Sequence, residues 1–448
     1  MKGKKINKKE DKIYGKNNFR KIATITLFES AVQWYCFLLY GTAAGTVFHK
    51  VFFSQTGNGT TALILSYMSF AIGYIAGPFG AVFFGHIGDR KGRKVTMYAS
   101  LLMMGISTSI IGILPPAASA GVGVVIVLQL MRLAQCFGRG GTWGGGILMA
   151  YENVPENKRS FYAAIPQIGL PIGFGLSSIL IAVPTLLLPE DIFFTWGWRI
   201  PFLAAIILTV IVIRQKGEMM ETEDYKKAQA KLEAEEAEGK KHKVGFIPMV
   251  KGYWKTLLLG CGTRWVDGTF YNIFIVWILS YCINWLGMPL IQTYIITIIA
   301  CIFKIPFTLF GGWCAQKLGN TRTFVIGALA SAVLSIPTLK VIELSKGNLA
   351  ITIIGIVLGW SIAYNLIWAV ISSLWSSYFE TEVRYSGISF VYHVPSFLVA
   401  GMVPTICTLL INYGKGDTIY VGIYSTVVAL ISAACALALK ARHDRGEK

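Results

Sequence analysis

About twelve apolar stretches, each roughly 20 residues long and separated by short polar turns, leave this chain little choice of fold. A stretch of that length crosses the ~30 Å hydrocarbon core of a bilayer as a helix, and in hydrocarbon only helices and closed barrels satisfy their own backbone. The stretches fall at 23–44, 61–84, 95–114, 122–150, 161–184, 197–215, 255–281, 288–313, 322–342, 349–377, 386–412 and 417–440. The expected fold class is therefore an all-α polytopic membrane protein with twelve transmembrane helices in two six-helix halves.

Of the 448 residues, 54% are hydrophobic and 14% are charged, so the spans consume nearly the whole chain and leave no soluble domain of useful size. That excludes most enzymes. A primary pump is excluded as well, since there is no Gly-x-x-x-x-Gly-Lys-[Ser/Thr] phosphate loop and no room for an ATPase domain. The formal net charge of +18 would suit nucleic acid, but Lys and Arg lie at the ends of the spans. Thirty-two of the 41 fall in the tails, in the turns after spans 2, 4, 6, 8 and 10 or at the span ends that adjoin them, against Lys50, Lys340, Lys346 and Lys415 on the other side. This asymmetry follows the positive-inside rule and puts both termini in the cytoplasm, with the protein in the plasma membrane and no nucleic-acid partner.

The eight cysteines are scattered singly through the apolar segments, without paired metal-ligand spacing, and no His-Glu-x-x-His pair occurs. No metal and no cofactor is expected. The first 21 residues are Lys-rich and polar, unlike a signal peptide, and are expected to lie along an anionic inner leaflet. The chain divides into a basic tail (1–22), a six-helix half (23–215), a charged linker (216–254) read as one or two short surface helices, a second half (255–440) and a short tail (441–448).

The halves echo each other at a shift of about 227 residues. Gly85-His86-Ile87-Gly88-Asp89-Arg90-Lys91-Gly92-Arg93-Lys94 closes span 2, and Gly312-Trp313-Cys314-Ala315-Gln316-Lys317-Leu318-Gly319-Asn320 closes span 8 as its degraded copy. Repeated halves of this kind suit alternating access about a midplane site. Small residues four apart, as in Gly73/Gly77, Gly141/Gly145 and Gly169/Gly173, fit close helix packing.

The Gly85 to Lys94 stretch resembles the signature loop between spans 2 and 3 of the major facilitator superfamily. Four further stretches resemble its metabolite:proton symporter branch, which includes carriers of organic acids and of betaine or proline. They are Arg132-Leu133-Ala134-Gln135 with Gly140-Gly141-Thr142-Trp143-Gly144-Gly145, Gln167 to Gly173, Trp196 to Phe202, and Val383-Arg384-Tyr385-Ser386-Gly387. The resemblance implies transport by alternating access, and a cytoplasmic charge latch in which Asp89 and Arg93 engage the start of span 11 near Arg384. The chain also departs from the branch. Acids are usual in span 1, an Arg-Pro in span 2 and a Glu in span 4, where this chain has Gln33 and Cys36, Gly77-Pro78, and Thr142.

Ionisable residues inside a bilayer are costly unless paired or facing water, so each is a functional candidate. Arg132, Gln135, Arg139 and Thr142 recur at i, i+3, i+7 and i+10 on one face of span 4, and two guanidiniums on one face suit a carboxylate. Arg264, Asp267 and Tyr271 share a face of span 7, with Asp267 the first candidate for a protonation switch and an intrahelical ion pair the alternative. Lys304 in span 8 is expected at the depth of Arg264, paired with Asp267 or snorkelling toward the interface.

Glu29, one turn below Gln33, is the second coupling candidate, against the alternative of a solvated place near the headgroups. Trp360, Tyr364 and Trp368 recur every four residues in span 10 and either shape a cavity that could take a quaternary ammonium or are packing or lipid-facing aromatics. His393 is read as a packing residue or a proton relay. The expected function is a monomeric secondary transporter of a small organic anion, a mono-, di- or tricarboxylate, coupled to protons. A betaine or proline carrier, an uncoupled facilitator and a transporter-like receptor are the alternatives.

Overall fold

The computed structural model describes residues 16–56, 58–91, 93–152, 159–215, 246–380 and 383–447, with backbone alone for 16–22, 86, 88–91, 93–94, 143–152, 215 and 246–248. Among these residues the chain is all helix and turn, in twelve rods. In the first half, α1 is Lys16–Ala43 with a wide turn at Ala44–Phe48, α2 is Gly59–Lys91, α3 is Arg93–Ile113 and α4 is Val122–Glu152. The helix α5 is Gly169–Leu187, preceded by the short helix Arg159–Ala163, and α6 is Arg199–Gln215. In the second half, α7 is Phe246–Asn272 continued by Ile278–Asn284, α8 is Leu290–Leu318 and α9 is Asn320–Leu344. Then α10 runs from Leu349–Ile356 to Ile371–Tyr378, α11 is Arg384–His393 followed by Val403–Tyr413, and α12 is Ile419–Asp444.

Ten of these helices are long and apolar enough to cross a membrane. The two that fall short have evident reasons. The proximal part of α1 is basic and carries Glu29 and Gln33, and α11 is interrupted between His393 and Val403 by a wide turn at Phe397–Gly401. The charged linker as far as 245 lies outside the described residues. Residues 246–254, expected in that linker, are helical and join α7 across a kink at Tyr253.

The packing repeats with the halves. The contact of α2 on α4 recurs as α8 on α10, α3 on α6 as α9 on α12, and α1 on α5 as α7 on α11. Two further pairs, α2 with α11 and α5 with α8, join the halves and are each other's images under the same six-helix shift. Outer faces carry exposed Phe79, Leu187 and Val333, as a lipid-facing surface requires.

Close approach of α2 and α4 depends on glycine. A Cβ at Gly80 would stand 1.9 Å from the Phe137 carbonyl oxygen, and one at Gly140 would stand 2.4 Å from the Ala81 nitrogen, both backbone atoms that cannot turn aside. Gly80→Ala is therefore expected to force α2 off α4 and to cost about 3 kcal/mol, seen as a lower melting temperature in detergent; an unchanged melt would refute this packing.

At the end opposite the chain termini, here called distal, Lys340 Nζ on α9 bonds Glu343 at 3.0 Å and Asp417 at 2.7 Å, while Glu343 accepts from the Thr418 amide at 2.8 Å. This ties α9 to the start of α12. The bond from Lys340, with one from the Ile419 amide, holds the Asp417 carboxyl below the usual carboxylate range. Its contribution is thus complete above the ordinary carboxylate pKa and lost only as pH falls through the depressed value, so the tie holds at neutral pH.

Candidate substrate site between the two halves

Several charged residues of the spans are held inside the bundle. Arg132, Arg139, Arg264, Lys304, Asp267 and Glu29 are each at most 3% exposed. Among the described residues these four cations, with Arg199 of α6 at 9% exposure, are thus buried with two carboxylates, although burying even one unpaired charge is costly.

In the first half, the Arg132 guanidinium lies against the rings of Phe37, Tyr40 and Phe70 at 4.5, 4.4 and 4.6 Å, and bonds the Gln135 side-chain oxygen. Gln135 in turn donates to the Cys36 carbonyl at 2.9 Å and the Thr108 hydroxyl at 2.7 Å, joining α1, α3 and α4. Two turns beyond Arg132 toward the termini, Arg139 lies 3.7 Å over Phe37 and 4.6 Å over Trp34 and donates to the Tyr392 hydroxyl of α11. The Thr142 hydroxyl turns back to the Arg139 carbonyl at 3.1 Å, as Thr commonly does inside helices, and so is occupied by its own helix.

In the second half, Arg264 forms an ion pair with Asp267 one turn on, and Asp267 also accepts from the Tyr364 hydroxyl of α10. Arg264 lies 4.4 Å over the Tyr392 ring. Lys304 does not reach Asp267, contrary to expectation. Its ammonium bonds the Asn365 side-chain oxygen at 3.0 Å and sits 4.6 and 4.4 Å over the rings of Trp360 and Tyr364. The Tyr364 phenol stands on both neighbours, so the two charges are bridged by a tyrosine instead of paired directly.

At two further places burial removes one of the alternatives the sequence left open. Glu29 is buried at 2% exposure, not solvated near the headgroups, because α1 runs through the bundle against α4, α5 and α6. Trp360, Tyr364 and Trp368 are also buried, not lipid-facing, and a wide turn at Val357–Ala363 replaces the regular helical spacing that placed them on one stripe. The Trp368 indole donates to the Gln167 carbonyl at 3.0 Å, its ring lies edge-on to Trp34 at 5.4 Å, and Trp34 meets Tyr271 at 5.6 Å.

Many of the buried polar atoms around this centre are donors without a hydrogen-bond partner among the described residues. They include Arg132 Nη2, Arg139 Nε, Arg264 Nε, Trp34 Nε1 and Gln33 Nε2, together with the hydroxyls of Tyr74 and Tyr271. Tyr271 lies within electrostatic reach of Tyr74, Arg139, Tyr392 and Arg132. Such groups each carry a desolvation cost that an acceptor-rich ligand would relieve.

Sequence reasoning missed Tyr392, Trp34 and Phe37, the side chains that receive the guanidiniums. No pattern within α1 or α11 distinguishes them from packing aromatics, since their partners come from α4 and α7. Arg384 is described and caps α10, donating to the Ser376 and Phe379 carbonyls at 3.0 and 3.3 Å. The side chains of Asp89 and Arg93 lie outside the described residues. His393 is buried against α2, 2.8 Å from where a Cβ of Gly77 would stand.

Distal to this layer a cavity of about 620 Å³, lined by His49, Leu63, Trp277, Ser280, Thr408 and Asn412 among others, opens between α1, α2, α7 and α11. Tyr67 of α2 bonds the Ser280 hydroxyl of α7 at 2.6 Å, and Thr46 meets the Tyr294 hydroxyl of α8 at 3.2 Å. Together they cross-link the halves near the cavity floor.

A profile of the Major Facilitator Superfamily matches residues 34–404. The chain belongs to the major facilitator superfamily. It is 33% identical to an inner membrane metabolite transport protein, YhjE, of Escherichia coli (strain K12), over 96% of both chains. It is 31% identical to the shikimate transporter of the same organism, over 94% of both, and 27% identical to its proline/betaine transporter, over 99% of this chain and 87% of the other. These full-length relatives agree with the metabolite:proton symporter-like branch of the superfamily. A partially occluded, inward-open structure of the xylose transporter XylE from E. coli superposes with a TM-score of 0.72 at 14% identity, over 94% of this chain and 97% of that one, which carries the fold. As a member of this superfamily the chain is a multi-pass secondary transporter of a small metabolite, not an enzyme.

Proposed function

We propose that the transported metabolite is a small organic anion bearing a carboxylate, taken up with protons across the plasma membrane by a monomer whose two termini are cytoplasmic. The observation that carries this reading is the excess, among the described buried residues, of Arg132, Arg139, Arg264 and Lys304 over Asp267 and Glu29, together with the buried donors around the arginines that have no partner among those residues. An anion supplies both the missing charge and the missing acceptors. Arg139 is the principal substrate ligand, with Arg132, Gln135, Gln33, Tyr271, Arg264, Lys304, Tyr364 and Trp368 completing the site and Thr142 at its edge. Asp267 serves as the proton-coupling carboxylate, with Glu29 as its auxiliary.

The betaine-type alternative needs free aromatic faces for a quaternary ammonium. Those of Trp34 and Phe37 are held by Arg139, and those of Trp360 and Tyr364 by Lys304. This favours the anion. In a thermal-shift panel on purified protein, shikimate, lactate, succinate and citrate are compared with betaine and proline. A carboxylate that raises the melting temperature while betaine and proline do not is the expected result; stabilisation by betaine alone would reverse the assignment.

The cytoplasmic latch of Asp89 and Arg93 against the start of α11 near Arg384 is part of the same proposal. Asp89→Asn is expected to slow transport about tenfold while leaving substrate affinity within twofold, because a latch acts on interconversion and not on the site. A wild-type transport rate in that variant would reject the latch.

A further inference from the structure

Arg139 comes from the first half and Arg264 from the second, yet both are received by one side chain, Tyr392 of α11. Arg139 Nη2 donates to its hydroxyl, and the Arg264 guanidinium lies 4.4 Å over its ring. Arg264 also has Asp267, whereas Arg139 forms no ion pair among the described residues, and the Nε atoms of both guanidiniums are buried without a hydrogen-bond partner. A phenol oxygen is a neutral acceptor and a weak counterpart for a guanidinium, which matches a carboxylate through two parallel bonds. The ring itself is fixed, edge-on to Trp375 at 6.2 Å and to His393 at 4.9 Å.

We propose that Tyr392 is a placeholder for the substrate, its hydroxyl occupying the acceptor position that one carboxylate of the substrate takes on binding. Resting on the anion reading above, this names the feature that is recognised: a single carboxylate inserted between Arg139 and Arg264. One carboxylate oxygen accepts from Nη2 and the other from Nε of Arg139, the latter reaching Arg264 as well, and the Tyr392 hydroxyl gives up its bond. The substrate then ties the first half to the second, so that binding itself favours the closed arrangement. Tyr392 thus sets affinity by competing with the substrate.

The test is Tyr392→Phe, which keeps the packed ring and removes the competitor. Binding of lactate, shikimate, succinate and citrate is measured by calorimetry on purified wild type and variant, with the ligand-free melt as the control for folding. The dissociation constant of whichever carboxylate the wild type binds is expected to fall about tenfold, the scale of one hydrogen bond to a charged group, and KM in liposomes to fall with it. An unchanged or weakened affinity in a variant of normal melt would overturn the placeholder and leave the anion reading standing. Failure of the wild type to bind any of the four would remove the anion reading, and this inference with it. A second readout needs no variant: adding the ligand to wild type is expected to shift the near-ultraviolet tyrosine band as the phenol loses its charged donor, and a spectrum without that shift also counts against displacement.

Discussion

Replacing Arg139 by Gln is expected to lower kcat/KM for carboxylate uptake roughly a hundredfold, the largest effect of any single substitution in the site. Arg139 is buried, bonded to a neutral phenol and stacked on Trp34 and Phe37, so its positive charge has no counter-charge among the described residues. A carboxylate that meets it forms a charge-assisted pair out of water. Removing one partner of such a pair costs about 2–5 kcal/mol, and each 1.36 kcal/mol is tenfold in rate. Arg139→Lys keeps the charge and loses the planar fork, and is expected to retain about a tenth of the wild-type value. The melt of the ligand-free variant is expected to hold or rise, since an unpaired buried charge has been removed. Uptake at more than half the wild-type rate in Arg139→Gln would show that the substrate lies elsewhere.

Replacing Asp267 by Asn is expected to separate transport from proton coupling. Asn has the shape of a protonated Asp and can still accept from the Tyr364 hydroxyl, but it cannot hold a charge against Arg264. In the proposed cycle, protonation of Asp267 frees Arg264 for the substrate, and Asn fixes the site in that state. Exchange of labelled for unlabelled substrate should then continue within a few-fold of wild type. Accumulation driven by an inward proton gradient should vanish. A gradient of about two pH units stores about 2.7 kcal/mol, enough for about a hundredfold accumulation at one proton per neutralised substrate, so the loss is large and easily measured. Undiminished accumulation in Asp267→Asn would move coupling to Glu29 or another group.

How much of this was legible in the sequence follows from where each kind of information resides. Span lengths, the two halves and the presence of Arg132, Arg139, Arg264 and Lys304 within spans could be read directly, because the bilayer taxes every charge and every unpaired amide in the same way whatever the neighbouring helices do. The Arg264–Asp267 pair was legible too, being local to one helix. What crosses from helix to helix was not. Depth and charge alone point Lys304 at Asp267, whereas the structure gives it Asn365 and two aromatic faces. Tyr392 has no signature within α11, since its importance comes from α4 and α7 meeting there. Wide turns at Val357–Ala363 and Ile273–Trp277 change which residues share a face, and regular helical counting across α10 and α7 passes over them. The burial of Glu29 has no signal within α1, since it comes from the helices that enclose it.

The measurement that bears most directly on the central claim is uptake by purified protein in liposomes, with labelled lactate, shikimate, succinate and citrate beside betaine, proline and a sugar, each with and without an inward proton gradient. Gradient-driven accumulation of a carboxylate, with no accumulation of betaine, proline or sugar, is the predicted result. Accumulation of betaine or proline with no carboxylate flux, or binding of a carboxylate without flux of any compound, would contradict it.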